Sequence, residues 1–353
     1  MANSKPKRVY QTWKGKNKFL CNGRLVFGPD AKSLVVTLLL ILVPVIIFCT
    51  SVARNLVHEF IAYNAGYAIL VVAILLTVYV LLLLFLTSAR DPGIVPRNLN
   101  PPEEEIVDES SNSVDTGGRT PTPIALPRTK EVIIDGVIVV KVKYCDTCKL
   151  YRPPRCSHCS VCDNCVERFD HHCPWVGQCI GLRNYRYFIL FVSSSALLCS
   201  FVVAMSALNV KLQMDNYGTL WKGVKAAPAS VILMAYSFFF LWFVGGLTCF
   251  HLFLICTNQT TYENFRYRGE DHIRVYDKGC LKNFHQVFCT NVKPGIKFHA
   301  YAQENERRPS NGLNTPESEA RYSGGDQRVK VEDDREIGGD LLQLSQRRDD
   351  EEV

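Results

Sequence analysis

The longest uncharged stretch of the chain is AAPASVILMAYSFFFLWFVGGLTCFHLFLICTNQTTY, residues 226–262. A helix needs only about 20 apolar residues to cross the hydrocarbon core of a bilayer, and this stretch exceeds that length. Three more stretches without Asp, Glu, Lys or Arg precede it, at residues 33–53, 60–89 and 187–210. The sequence therefore predicts four membrane-spanning helices, near Leu34–Ala53, Gly66–Thr87, Tyr187–Asn209 and Ser230–Cys256.

The distribution of charge excludes several classes of protein. The 353 residues carry a net charge of +6 and are 21% charged, averages that would suit a soluble protein. The charged residues nevertheless avoid the four apolar stretches, which excludes a single soluble globule and a wholly disordered chain. The positive excess is small and dispersed, which excludes a nucleic-acid binder built on one basic face.

Basic residues near the predicted spans indicate how the chain is oriented in the membrane. Residues 1–32 hold eight Lys or Arg residues, whereas the loop between the first two spans holds only Arg54. The loop between the third and fourth spans holds Lys211, Lys222 and Lys225. Because cytosolic loops are enriched in Lys and Arg, we expect the N-terminus, the long middle segment and the tail to be cytosolic.

The predicted fold class is an all-α integral membrane protein with a cytosolic, cysteine-rich domain between its second and third spans. A β-hairpin signal, EVIIDGVIVVKVK at residues 131–143, leads the chain into that domain. The predicted organisation is an N-terminal cytosolic segment (1–32), spans one and two (33–89), a turn and disordered linker (90–130), the cysteine-rich domain (131–186), spans three and four (187–262), a cytosolic segment (263–300) and a disordered tail (301–353).

Eight of the fifteen cysteines lie within residues 145–179, together with three of the eight histidines. Two Cys-x2-Cys pairs stand in this cluster, Cys145 with Cys148 and Cys162 with Cys165. That spacing lets one tight turn direct two thiolates at a tetrahedral zinc ion. The alternative is a disulfide framework, but it needs an oxidising compartment, and the charge pattern places this segment in the cytosol.

The cluster supplies enough ligands for two closed Cys3His sites and leaves a remainder. The eight ligands are Cys145, Cys148, His158, Cys159, Cys162, Cys165, His172 and Cys179. In an extended segment side chains alternate, so if His172 faces a metal, His171 and Cys173 face the other way together. With Asp170 they provide the carboxylate, base and thiol of an activated nucleophile. Spacing alone equally allows Cys173 to be one more structural thiol.

The sequence resembles the DHHC-type protein S-acyltransferases, or palmitoyltransferases, over roughly residues 30–290. The matching motifs are DHHCPWV at 170–176, RPPRCSHC at 152–159, DPG at 91–93, TTYE at 260–263 (the family's TTxE) and NFHQVF at 283–288. They occur in the family's order around four predicted spans.

This resemblance implies a two-step, ping-pong reaction with a long-chain acyl-CoA such as palmitoyl-CoA as co-substrate. Cys173, with His171 as base and Asp170 beside it, would accept the acyl group and pass it to cysteines of substrate proteins. The resemblance also assigns the two structural zinc ions. One would bind Cys145, Cys148, His158 and Cys165, and the other Cys159, Cys162, His172 and Cys179.

Six further side chains are predicted to contact the acyl-CoA: Trp175, Phe188, Phe191, Leu198, Arg152 and Arg155. Trp175 would lie at the membrane interface, where its amphipathic ring is favoured. Phe188 and Phe191 would line the acyl-chain cavity and Leu198 would close it, unless these side chains simply face lipid. The arginines would meet the CoA phosphates, unless they contact headgroups or are solvated charges.

Two other functions compete with the enzyme on the sequence. A membrane-anchored zinc module of the ubiquitin-ligase kind would need every cysteine as a ligand, and would leave Asp170, His171 and Cys173 unexplained. A transporter or channel would need ionisable residues in its spans, which offer only His251. The expected partners are acyl-CoA, proteins with cysteines near the membrane, and the bilayer of the endomembrane system or plasma membrane, but no nucleic acid. The substrates, the acyl-chain preference, the oligomeric state and the acylation of Cys21, Cys280 or Cys289 stay open.

Overall fold

A computed structural model describes residues 6–60, 64–102, 128–134, 138–266 and 275–302. Most of the predicted linker and nearly all of the predicted tail lie outside the described residues, as does the turn of the hairpin at Asp135-Gly136.

Among the described residues, four helices are long and apolar enough to cross a membrane, which agrees with the number of predicted spans. The first comprises α2 (Ser33–Ile47), a π-helical turn (Phe48–Ala53) and α3 (Arg54–Glu59); the others are α4 (Ala65–Ser88), α5 (Tyr185–Tyr217) and α7 (Pro228–Cys256). The third helix continues well past its predicted end at Asn209. Lys211 and Asp215, one helical turn apart, form an ion pair that lets the helix continue through charged residues.

Pro44 changes the hydrogen bonding of the first span. Proline has no N–H, so within a helix it leaves the carbonyl of the residue four positions earlier without its usual donor. That residue is Leu40, and its carbonyl accepts a hydrogen bond of 2.8 Å from the Tyr236 hydroxyl on α7. The π-helical turn begins four residues after Pro44. In a bilayer, where water cannot replace a lost bond, the tyrosine both satisfies the carbonyl and joins the two spans.

The third span forms the centre of the helical bundle and packs against α4 and α7. Its inner face contributes Phe188, Phe191 and Leu198 to a continuous apolar core. Asn209 of this helix also donates a 2.8 Å hydrogen bond to the hydroxyl of Ser230 on α7. The outer faces of the bundle are apolar as well: the side chain of Trp242 is 76% exposed. A helix that is apolar on both its inner and outer faces suits a membrane span.

The region between the second and third spans is built from short strands, so the all-α description holds for the spans and not for the whole chain. Each strand pairs antiparallel with its neighbour in sequence: β3 (Thr129–Ile134) with β4 (Ile138–Cys145), β4 with β5 (Leu150–Tyr151), β6 (Ser157–Cys159) with β7 (Asn164–Val166), and β8 (His171–Cys173) with β9 (Gln178–Ile180). The β3–β4 pair confirms the predicted hairpin.

The N-terminal segment also has structure that its composition did not predict. It contains α1 (Val9–Thr12) and a hairpin of β1 (Lys18–Leu20) and β2 (Leu25–Phe27). Its aromatic residues pack on Phe298, with the Trp13 ring centroid 5.1 Å away. The other short helices are α6 (Leu220–Ala226), α8 (Thr261–Arg266) and α9 (Cys280–Phe288). The two ends of the described chain therefore meet beside the membrane-spanning bundle.

Candidate active site and metal centres

The first of two cysteine–histidine clusters contains Cys145, Cys148, His158 and Cys165. Cys145 ends β4, the tight turn after it delivers Cys148, and the β6–β7 pair presents the other two ligands side by side. The three sulfur atoms lie 3.5–3.7 Å from Nδ1 of His158. Cys156, one of the residues left over from the ligand count, packs beside this cluster.

The second cluster contains Cys159, Cys162, His172 and Cys179. Here the three sulfur atoms lie 3.4–3.8 Å from Nδ1 of His172. The β8–β9 pair places His172 directly opposite Cys179, while the other two ligands come from β6 and the turn after it. Because Cys159 and Cys165 belong to paired neighbouring strands, the two clusters interleave along the chain.

Both clusters have the dimensions of a tetrahedral zinc site. Zn–S bonds of about 2.3 Å and Zn–N bonds of about 2.05 Å at a tetrahedral angle place S and N about 3.6 Å apart, in the middle of the observed range. Each histidine uses Nδ1 toward the sulfurs and turns Nε2 toward a carboxylate: Asp163 at 3.6 Å for His158, and Asp30 at 3.0 Å for His172. Such carboxylate partners fix the orientation of a metal-binding imidazole. These residues could therefore bind two zinc ions.

Strand β8 directs its side chains in two directions. His172 points into the second cluster, whereas the neighbouring Cys173 belongs to the apolar core formed with the spans and is only 6% exposed. His171 lies against Phe188 of the third span, with ring centroids 5.3 Å apart, and Cys173 is close enough to influence the protonation of its imidazole. The structure thus brings together the side chains that the alternation of an extended strand placed on one side.

Asp170 is buried and fully engaged. Its Oδ2 lies 2.6 Å from Nδ1 of His171, which leaves Nε2 as the nitrogen available to Cys173. The backbone N–H and the hydroxyl of Thr261 donate to the same carboxylate at 2.9 and 2.8 Å. Burial by itself would raise the pKa of Asp170, but the contacts with His171 and the Thr261 N–H outweigh it and lower this pKa.

The protonation of His171 reflects the same arrangement. Burial by itself would lower the pKa of its imidazole, but the hydrogen bonds and negative charges of Asp170 and Cys173 raise this pKa to about 9. A carboxylate, an imidazole and a thiol in this order can hold a proton on the ring and a negative charge on the sulfur.

Thr261 belongs to the TTYE motif, whose other members hold the start of α8. The hydroxyl of Thr260 accepts from the backbone N–H of Glu263 at 3.1 Å, and the Glu263 carboxylate accepts from the N–H of Thr260 at 2.8 Å. This reciprocal pair is a capping box. The same carboxylate receives a two-pronged ion pair from Arg155, with N–O distances of 2.7 and 2.6 Å. The motif therefore joins the last span to the cysteine-rich domain.

The two arginines predicted to meet CoA phosphates lie in different surroundings. The side chain of Arg155 is 9% exposed; besides Glu263 it contacts Asn258 and stacks over the ring of Tyr276. Its guanidinium thus has a structural role within the protein. Arg152 directly follows β5, and its backbone N–H donates to the carbonyl of Lys143 at 2.8 Å. A contact of either residue with CoA stays a prediction.

The residues predicted to hold the acyl chain separate into buried and exposed ones. Phe188, Phe191 and Leu198 are 1%, 8% and 6% exposed, so they face the interior of the bundle and not its outer surface. Trp175 is 59% exposed, and its carbonyl accepts a 2.7 Å hydrogen bond from the hydroxyl of Thr37 in the first span. The turn that follows Cys173 is thereby attached to the membrane-spanning bundle.

His251 also lies at the site, although no sequence motif indicated a role for it. It is buried on α7 with its ring centroid 6.0 Å from that of His171 and 5.2 Å from that of Phe188, and its Nδ1 lies 3.2 Å from the Tyr185 hydroxyl. The only available signal was that an ionisable residue in an otherwise uncharged span is often functional.

Comparisons with known proteins agree with this geometry. Residues 139–268 match the family model described as DHHC palmitoyltransferase. Protein S-acyltransferase 8 of Arabidopsis thaliana is 62% identical over 349 residues, which cover 96% of this chain and 84% of the relative. The chain belongs to the DHHC family of protein S-acyltransferases. Two probable protein S-acyltransferases of the same plant, numbers 9 and 2, are 55% identical (98% of this chain, 84% of theirs) and 47% identical (95% and 80%).

Membership in this family decides between the three functions considered from the sequence: an acyltransferase, a zinc module and a channel. The protein is an acyltransferase, and the activity carried by the family is the palmitoylation of proteins. The readings as a non-catalytic zinc module or as a channel are therefore wrong. The cysteine-rich region lies between the second and third of the four helices, as expected from the sequence.

Proposed function

We propose that this protein transfers a long-chain acyl group from acyl-CoA to cysteines of substrate proteins through an acyl-enzyme on Cys173. One observation carries the proposal: β8 directs His172 into a metal cluster while Cys173 and His171, aligned by Asp170, face the membrane-spanning bundle. A thiol left out of both metal clusters and placed beside an imidazole that a carboxylate orients has the attributes of a nucleophile and not of a ligand.

In the first step, His171 accepts the thiol proton of Cys173 through the ring nitrogen that Asp170 leaves available. The thiolate attacks the thioester carbonyl of acyl-CoA, a new C–S bond forms, and the CoA thiolate leaves and takes up the proton from His171. In the second step, His171 removes the proton from a substrate cysteine, whose thiolate displaces Cys173 from the acyl group. Each step exchanges one thioester for another, so catalysis consists mainly of positioning and of supplying the thiolate.

The two clusters bind zinc in a structural role. Cys145, Cys148, His158 and Cys165 complete one tetrahedron, and Cys159, Cys162, His172 and Cys179 complete the other. With four protein ligands each, the sites have no open position for a reacting water. Bound zinc supplies folding energy to a region whose short strands could not bury enough apolar surface alone.

The acyl chain lies among the spans while CoA remains in water. Each buried CH2 contributes about 0.8 kcal/mol, so a long chain partitions strongly into an apolar cavity. Phe188, Phe191 and Leu198 follow one another along the buried face of α5, and Phe188 contacts His171. Leu198 stands ten residues beyond Phe188, or about 15 Å along the helix, close to the length of a sixteen-carbon chain. Trp175 lies where the acyl chain enters the cavity.

The cysteine-rich domain, the N-terminus and the tail face the cytosol of an endomembrane or plasma membrane. Eight basic residues before the first span, against Arg54 alone in the following loop, support this orientation. Its protein substrates are those that present a cysteine near the membrane. An epitope tag beside Asn64 is expected to react only from the side opposite the two termini, and labelling from the same side would contradict the orientation.

The nucleophile is tested with Cys173→Ser and a matched control, Cys156→Ser, which alters the other thiol within residues 145–179 that belongs to neither cluster. Each variant is purified, incubated with labelled palmitoyl-CoA, and analysed for hydroxylamine-sensitive label and for zinc by elemental analysis. Cys173→Ser should lose the label and keep about two zinc ions, and Cys156→Ser should keep the label. Normal labelling of the Cys173→Ser variant on another cysteine would refute the proposal.

A further inference from the structure

A cavity of about 630 Å³ lies where the second span leaves the membrane, on the side of the cysteine-rich domain. Three segments enclose it: the β1–β2 hairpin, the last turn of α4 with the residues after it, and the segment around Phe298. The lining residues are Gly23, Arg24, Leu25, Val26, Phe85, Leu86, Ala89, Arg90, Asp91, Ile296, Lys297, Phe298 and His299. We call it the interfacial pocket.

The floor of the interfacial pocket is apolar and continues onto the lipid-facing surface. Val26 and Phe298 are buried beneath it. Phe85, in the last turn of α4, is 45% exposed, and Leu82, one turn nearer the middle of the span, is 52% exposed. A molecule in the pocket can therefore extend its hydrocarbon chains along α4 into the bilayer without exposing them to water.

The rim of the pocket is basic. Arg24 and Lys297 are exposed, and neither side chain has an ion-pair partner among the residues that the structure describes. The guanidinium of Arg90 donates to the Tyr187 hydroxyl at 2.9 Å. Among the described residues, no carboxylate forms an ion pair with it. His299 completes the rim.

Asp91 is the single acidic residue in the lining, and its charge is already engaged. Its Oδ1 accepts the backbone N–H groups of Gly93 and Ile94 at 2.9 and 2.8 Å, and its Oδ2 pairs with Arg183 at 3.3 Å. The carboxylate is thus directed into its own turn and toward a guanidinium, and the field over the pocket remains positive.

We infer that the interfacial pocket binds the phosphorylated headgroup of an anionic phospholipid, of the phosphoinositide class. The depth of the pocket is that of lipid phosphates, because it starts where the apolar run of α4 ends. Its volume accommodates a phosphorylated inositol ring. Three cationic side chains suit a headgroup that carries more than one negative charge, since basic pockets beside spans recognise such headgroups.

The occupant would also support the active site mechanically. Between and beside the lining residues Leu86 and Ala89, the carbonyls of Thr87, Ser88 and Arg90 all accept from the side-chain amide of Gln178 at 2.7–3.0 Å. Gln178 is paired with Cys173 across the β8–β9 ladder. The inference itself concerns binding and does not rest on the proposed catalytic mechanism.

The test uses the purified full-length protein in detergent and counts bound lipids by native mass spectrometry. The probes are dioleoyl phosphatidylinositol phosphate and, as reference, dioleoyl phosphatidylcholine. The test variant combines Arg24→Gln with Lys297→Gln. The control combines Lys14→Gln with Lys282→Gln, which removes the same charge from exposed positions outside the pocket. Each basic residue near a membrane contributes roughly fivefold to binding an anionic lipid, so the test variant should bind the phosphoinositide roughly 25-fold more weakly.

The wild type and the control should each bind one phosphoinositide tightly and in preference to phosphatidylcholine. The test variant should lose this preference. Equal loss in the control would show non-specific attraction to charge and overturn the inference. If soluble glycerophosphoinositol phosphate, at the same concentration as the lipid probe, displaces the bound phosphoinositide, the pocket is a site for free phosphate and not for a lipid. Displacement by palmitoyl-CoA at substrate concentrations would assign the pocket to the co-substrate, and would equally refute a lipid site.

Discussion

Replacing Thr261 with Val isolates the bond through which the TTYE motif acts on the active site. Valine has almost the shape of threonine, so the substitution removes the hydroxyl that donates to Asp170 at 2.8 Å and leaves the backbone N–H bond to the same carboxylate in place. Asp170 is 1% exposed, so water does not replace the missing donor. The capping box of α8 uses Thr260 and Glu263, and remains intact.

The magnitude follows from the charge of the acceptor. A hydrogen bond to a charged group contributes about 1.5–3 kcal/mol, which corresponds to roughly a 10- to 150-fold change in a rate that depends on it. We expect the rate of acyl-enzyme formation on Cys173 to fall by a factor in that range, because the Asp170 carboxylate keeps only two of its three hydrogen-bond partners and orients His171 less firmly.

The assay is a single-turnover measurement with labelled palmitoyl-CoA on purified protein, accompanied by a zinc determination. Thr261→Ser is the matched control, since it keeps the hydroxyl and should retain a rate near that of the wild type with full zinc content. If Thr261→Val acylates as fast as the wild type, the bond to Asp170 has no catalytic consequence and the reasoning is wrong. If it loses zinc, the effect is on folding and not on positioning.

Three more outcomes are expected. His172→Ala should lose about half of the zinc and become sensitive to protease, whereas His171→Ala should keep the zinc and slow acylation; equal zinc loss in both would contradict the division of roles on β8. Leu198→Trp should shift donor preference from sixteen carbons to shorter chains, since each excluded CH2 forfeits about 0.8 kcal/mol, and an unchanged chain-length profile would remove Leu198 from the cavity. Tyr236→Phe should destabilise the bundle by roughly 0.5–2 kcal/mol through the loss of its bond to the Leu40 carbonyl, measured as a lower Tm.

The features that were predictable from the sequence are those with a local signature. Long runs without charge predict spans because a bilayer accepts little else, and all four are present. The Cys-x2-Cys spacing predicts metal clusters because a single turn can place two thiolates together. Cys145 and Cys148 do share a cluster, but the same expectation is wrong for Cys162 and Cys165, which lie in different clusters. The two-residue period of a strand separated His172 from His171 and Cys173, and the structure brings the predicted residues together in the same two groups.

The features that escaped prediction depend on contacts between distant parts of the chain. Thr261 reaches Asp170 across 91 residues, and Arg155 reaches Glu263 across 108, which no local pattern records. The charge of Lys211 predicts an end of the third span at Asn209, whereas the helix continues past it and Lys211 pairs with Asp215 one turn further on. The basic residues of the N-terminal segment predict only the orientation of the chain, yet its aromatic side chains pack on Phe298.

The construction of β8 explains why metal binding and catalysis depend on each other in this protein. Three consecutive residues serve two sites, so a slip of one position in the pairing of β8 with β9 would exchange the ligand with the base and the nucleophile. The turn between the strands fixes this register: Gly177 has a φ of +78°, and a Cβ there would meet the Asp30 carbonyl at 2.8 Å. Asp30 in turn holds Nε2 of His172 at 3.0 Å. The same few contacts therefore set the metal ligand and orient Cys173 toward the membrane, and a change that loosens the metal cluster should also misplace the nucleophile.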